Sequence, residues 1–265
     1  MNKALTSQDG TQQATMMVDG CDVPVVLKAN KRARRMILKV DPVRREVTIT
    51  SPTVRGFSKA LVFAQKHEAW VAERLRDLPE PVPFVDGAII PVRGELHQIV
   101  HDASGRARAP VRVEDRQVNT DADLPLFASA NAPARLLVSG KAEHLSRRVT
   151  DWLKREARRD LEDATLAHAA AYGTAPARIT LRDTASRWGS CSTSRVINYS
   201  WRLIFAPPYA LDYVAAHEAA HLIEHNHGPK FWKLVRTRIS DIERAKIWLT
   251  DNGADLHRYG AVHTS

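Results

Sequence analysis

In the stretch VAAHEAAHLIEHNHGPKFW (214–232), four histidines fall within eleven residues: His217, His221, His225 and His227. On a helix, residues four apart share a face and stand about 6 Å apart along the axis. Two imidazoles so placed can bind one tetrahedral zinc ion. Glu218 is rotated about 100° from His217, too far to ligate from the same face. It can instead reach the open side of a metal, take a proton from an activated water and pass it to a leaving group. That division of labour is the mechanical content of the H-E-x-x-H pattern. A third ligand is still needed, and His225 lies about 12 Å from His217 on a regular helix. His227 can close the site if the chain turns after Asn226. The residues favour such a turn: Asn226 tolerates left-handed geometry, Gly228 is permissive and Pro229 suits the start of a new helix. Glu224 and Glu243 remain alternatives for that position.

The competing reading is a solvent-facing helix with a chance H-E-x-x-H. The flanks argue against it. Val214, Ala215, Ala216, Ala219, Ala220, Leu222 and Ile223 surround the motif with apolar side chains. The helix is therefore expected to be buried on several sides, and a buried His-Glu-His stripe needs compensation that a metal supplies.

Residues 186–232, SRWGSCSTSRVINYSWRLIFAPPYALDYVAAHEAAHLIEHNHGPKFW, resemble the YgjP-like metal-dependent hydrolases, also described as a metallopeptidase domain. These are zincins related to the SprT- and WLM-type proteases. The resemblance rests on Arg187 to Cys191, on Trp201, Arg202 and Leu203, and on Pro208 and Asp212 to Val214. It continues through the His217–His221 motif to Asn226, His227, Phe231 and Trp232. A weaker likeness extends to KRARRMILKVDPVRREVTITSP near the N-terminus. His225 departs from the pattern, which has an apolar residue before the asparagine, and the pattern also favours His227 as third ligand. The resemblance implies one zinc per chain, a zincin fold, Glu218 as general base and a sheet edge that receives an extended substrate. The strand INYSWRLI (197–204) sits in the right chain order to be that edge, so that a peptide adds by strand pairing. A peptide bond is the first substrate expected, by family analogy alone.

Other residues near the motif have two readings each. Arg187 and Arg202 can bind a substrate carboxylate or phosphate, or can pair with Asp183 or Asp212. Tyr199 and Tyr213 can stabilise an oxyanion. Trp188 to Cys191 reads as a tight turn with Cys191 a buried small residue, or else as a wall of the active site with Cys191 near the metal. Phe231 and Trp232 open an amphipathic helix and read as core. Two rival functions stay open. One is a zinc-dependent hydrolase of nucleotides or other phosphorylated small molecules, motivated by Arg187, Arg202 and Lys230. The other is a nucleic-acid-associated binding module with a structural metal.

The 265-residue chain is long enough for one large domain or two small ones. Its formal charge of +9, with basic clusters at 28–39, 105–112 and 154–160, reads either as a set of solvated faces or as a surface for a polyanion or nucleic acid. No zinc finger, RNP or helix-turn-helix pattern accompanies them. No apolar run reaches membrane-span length, and the N-terminus lacks a signal-peptide core, so no membrane partner and a cytoplasmic location are expected. Two cysteines, Cys21 and Cys191, fit no disulfide framework or thiolate zinc site. Nothing bears on oligomeric state.

The fold expected is α+β: a β-rich N-terminal part, then a mainly helical, zincin-like C-terminal domain with a small sheet. Residues 1–15 are polar and aperiodic and read as disordered. Residues 16–125 read as a β-rich domain with a helical segment near 57–77. Within it an Asp-Gly turn joins two strands, and Val47 and Ile49 alternate with polar neighbours. Residues 119–133 read as a loop or linker. Residues 126–265 form the metallohydrolase domain. There Leu145, Val149, Trp152, Leu153, Ala157 and Leu161 mark a helix from about 141 to 172, and a further helix runs from 207 through Asn226.

Overall fold

A computed structural model describes residues 11–104, 109–114 and 133–261. The fold is α+β and divides into two compact units, one made of the chain up to Pro81 together with Ala261 and one spanning Val82–Gly260.

The first unit holds β1 (Thr11–Val18), β2 (Cys21–Ala29), β3 (Ile37–Asp41) and β4 (Glu46–Ser51), in the order β1-β2-β4-β3. Asp19 and Gly20, at φ 48° and 79°, make the tight turn between β1 and β2 that the Asp-Gly pair predicts. Val47 and Ile49 alternate inward as expected, and β2 pairs with β4 in parallel so that Leu27 lies beside Ile49. Helices α1 (Phe57–Lys66) and α2 (Glu68–Arg76) cover that face with Phe57, Ala60, Ala64 and Val71. The single helical segment expected at 57–77 is thus two. His67 breaks it with a non-helical backbone, and its Nδ1 bonds the Phe63 carbonyl. The disorder expected for 1–15 does not hold for residues 11–15. They lie in β1, held by backbone pairing with β2 from Thr11↔Lys28 to Thr15↔Pro24. An edge strand needs no apolar pattern of its own when its partner supplies the ladder. Residues 1–10 lie outside the described residues.

The second unit opens with a sheet of order β5-β6-β8-β7, made of β5 (Ile89–Val92), β6 (Glu95–Asp102), β7 (Val111–Glu114) and β8 (Ala134–Ser139). β8 pairs with both β6 and β7, which ties β5–β7 to the C-terminal part of the chain. The units therefore divide at Pro81, not at the 125/126 boundary read from the sequence. The expected linker lies outside the described residues except for Pro133. Helix α3 (Leu145–Ala171) buries the anticipated Leu145, Val149, Trp152, Leu153, Ala157 and Leu161, and is stopped at Gly173 with φ 67°. A small sheet of order β10-β11-β9 comes next: β9 (Arg178–Arg182), β10 (Gly189–Cys191) and β11 (Val196–Ser200). Helices α4 (Pro208–Ala220), α5 (Pro229–Arg238) and α6 (Ile242–Asn252) complete the unit.

The small sheet corrects one expectation. The strand expected over 197–204 stops at Ser200, and Trp201–Phe205 form a buried 3-10 turn. β11 is central, between parallel β9 and antiparallel β10. The open edge beside α4 belongs to β10, which reads only as a turn in the sequence. Among the described residues, no helix is long and apolar enough to cross a membrane.

Candidate metal centre

Helix α4 is apolar on nearly every side. Ala210, Leu211, Val214, Ala215, Ala216, Ala219 and Ala220 are buried, and alanine lets neighbouring elements approach closely. Pro208 sits in the first turn, where its missing N–H costs nothing. The regular helix ends at Ala220, not at Asn226 as expected. Leu222 N–H then bonds the Ala219 carbonyl and Ile223 N–H the Ala220 carbonyl, tightening the last turn. Gly228 is the N-cap of α5 and Pro229 its first residue. Between the two helices the chain doubles back and carries His227 over the H-E-x-x-H face.

One ring nitrogen each from His217, His221 and His227 lies within 4.8 Å of the others. The Nε2 atoms of His217 and His227 are 3.0 Å apart. Ligand nitrogens of a tetrahedral zinc site stand about 3.3 Å apart, from bonds of about 2.05 Å. Phe231 is fully buried beneath the cluster, its ring centroid 4.8, 4.5 and 4.7 Å from those of His217, His221 and His227. It is core, as its sequence context predicts, and it is also the floor that orients all three imidazoles.

The protonation states suit a cation. His221 Nδ1 lies 3.0 Å from the Glu224 carbonyl oxygen, so Nδ1–H donates there and Nε2 keeps its lone pair. Burial, then the neighbouring imidazoles, push His217 down to about 3. Burial also lowers His221. Neutral imidazoles with convergent lone pairs are the form that binds metal, so this donor set fits a divalent ion of the zinc type. Among the described residues only these three histidines make such a cluster. His225 is exposed and outside it. Glu224 offers its carbonyl to His221, and Glu243 pairs with Lys246 at 2.9 Å.

Glu218 is 5% exposed, and its Oε2 is buried without a hydrogen-bond partner. Burial raises its carboxyl to about 8, against a smaller opposing pull from Arg187. Gly189 of β10 presses directly on it. A β-carbon at that position would stand 2.5 Å from Glu218 Oε1 and 2.6 Å from its Cγ. The RWGSC stretch is the one available signal for this contact, since a glycine within a strand often marks close approach.

The remaining candidates separate. Arg187 is exposed, and its side chain has no ion-pair partner among the described residues. Arg202 is 2% exposed, pairs with Asp183 at 2.7 Å and donates to the carbonyls of Leu256 and Tyr259. Its donors are engaged within the fold. Asp212 instead meets His168 Nε2 at 2.7 Å. Tyr199 is 1% exposed, and its hydroxyl is 2.9 Å from Thr165 Oγ1. Tyr213 lies closer to the centre, its ring 5.9 Å from that of His217. Cys191 is half-buried, and burial pushes its thiol up to about 11.

Three convergent imidazoles beside a buried glutamate are the make-up of a mononuclear hydrolytic centre. The family model for the YgjP-like metallopeptidase domain matches residues 34–252. The chain belongs to the YgjP-like family and is a metal-dependent hydrolase, and the family implies a divalent metal. Neither a search of curated proteins nor one of solved structures returned a match.

Proposed function

We propose that the protein is a zinc-dependent peptidase in which His217, His221 and His227 hold the ion and Glu218 is the general base. The observation that carries this reading is the unpartnered Glu218 oxygen, buried next to three converging imidazoles. A bound zinc ion would supply Lewis acidity to a water and to the carbonyl under attack. Glu218 takes the proton from that water and delivers it to the departing amine. Its raised affinity for a proton, set by burial, suits both halves of the transfer near neutral pH. Phe231 keeps the three rings in place, and Gly189 leaves the carboxylate room to sit. The free edge of β10 passes Glu218 and offers backbone groups to an extended peptide, replacing the 197–204 strand in that role.

Elemental analysis of wild type, His227→Ala and His225→Ala, followed by a peptide-library digest against Glu218→Gln, tests the reading. Wild type and His225→Ala should carry one zinc per chain and His227→Ala little or none. Glu218→Gln should keep the metal and lose roughly 10²–10⁴ of the rate. Metal-free wild type under replete conditions would end the proposal.

Arg187 supports a second reading, hydrolysis of a phosphorylated small molecule, because its free guanidinium acts electrostatically on Glu218. Release of phosphate or pyrophosphate from nucleoside triphosphates, lost in Glu218→Gln, would favour it over the peptidase. Inertness towards a nucleotide panel would remove it.

A further inference from the structure

The first unit carries a groove that the proposed chemistry does not use. One wall is Met36, Ile37 and Leu38, running into β3; the other is Phe63, His67 and Trp70, at the corner where α1 meets α2. The cavity between them is about 600 Å³. A second hollow continues it past Phe63 to Val62, Lys59 and Lys66. Ile37 is 39% exposed, Val62 51% and Trp70 37%, so apolar side chains line an open surface. β3 pairs only with β4 among the described strands, which leaves the backbone groups of its other edge unpaired. An open strand edge facing an apolar helix wall is the geometry in which extended peptides add to a sheet.

The lysine and arginine side chains that line the two hollows, Arg35, Lys59 and Lys66, meet no carboxylate in the lining. Among the described residues, ion pairs in this unit join Arg44 to Glu46, Arg74 to Asp77 and Arg76 to Asp19. None of these pairs engages Arg35, Lys59 or Lys66. A second copy of the chain would bring these cations against themselves, so self-pairing is disfavoured. The aromatic faces are not open stacking platforms of the kind single-stranded nucleic acid needs. Arg74 lies over Trp70 at 5.7 Å, and the Phe63 ring packs on His67 at 4.4 Å. We propose that this groove binds an extended acidic peptide segment, which adds to β3 as a fifth strand and sets an apolar side chain between β3 and the α1–α2 corner.

The test uses the full chain and a fluorescein-labelled, end-blocked decapeptide alternating glutamate with valine and phenylalanine, read by anisotropy with mass spectrometry to confirm the probe stays intact. Saturable binding is expected. It should weaken at least about tenfold when alternate amides are N-methylated, and by a similar factor in Lys59→Glu/Lys66→Glu, whose exposed positions leave the fold intact. Ile37→Asp should weaken it too. Labelled oligothymidylate should not displace the peptide. Equal binding of the N-methylated peptide, indifference to the lysine reversals, tighter binding of oligothymidylate, or no anisotropy change at all would each overturn the proposal. Metal content and hydrolysis are measured separately, so failure here leaves the metal centre untouched.

Discussion

Glu218 is positioned by packing, not by hydrogen bonds. One of its oxygens is buried without a partner, and the Gly189 backbone bears on its side chain. Burial of the unpartnered carboxyl is answered by its raised proton affinity, to about 8, and such a perturbed group is characteristic of a site held for chemistry. Gly189→Ala therefore isolates position from identity. The added methyl must displace the carboxylate, while the three histidines lie on other elements and are not touched. A displacement of about 1 Å should lower the rate roughly 10²-fold with zinc content unchanged. Near-wild-type turnover in this variant, measured beside its metal content, would show that Glu218 can move without consequence and is not the base.

Elements differ in how far they can be read from the chain. Helix α4 and its ligand pair rest on residue types at a four-residue spacing, and Pro229 marks the start of α5, both local signals; the turn itself begins at Ala220, with no left-handed residue at Asn226 or Gly228. The first residues of β1, and β8 and β10, have no such signal. Residues 11–15 of β1 are ordered by pairing with β2. β8 is covered on both faces and shows no alternation. β10 is three residues long and exists through its ladder with β11. Arg202 is equally opaque in sequence, since a substrate anion and an ion pair read alike until the 3-10 turn buries it beside Asp183. Arg202→Met should cost about 2–3 kcal/mol in urea denaturation, because several carbonyls lose a donor while half-exposed Asp183 regains water. A raised KM with unchanged stability would instead return Arg202 to the substrate side.

At the scale of the molecule, two separate cores matter more than total size. One is built on Val25, Leu27, Val47 and Ile49, the other around α3 and α4. Each unit has its own apolar interior, and such units commonly unfold as separate cooperative steps. All three candidate ligands and Glu218 belong to Val82–Gly260. Zinc that binds only the folded form stabilises it by RT ln(1 + [L]/Kd), about 2.7 kcal/mol at a hundredfold excess over Kd. For a unit of this size that corresponds to roughly 5–10 °C. Calorimetry of the full chain should therefore show two transitions, of which zinc raises one and a chelator returns it. His227→Ala should abolish the shift and leave the other transition where it was. If zinc moves both transitions equally, or moves the one in His227→Ala, its stabilising site is not the histidine cluster on α4.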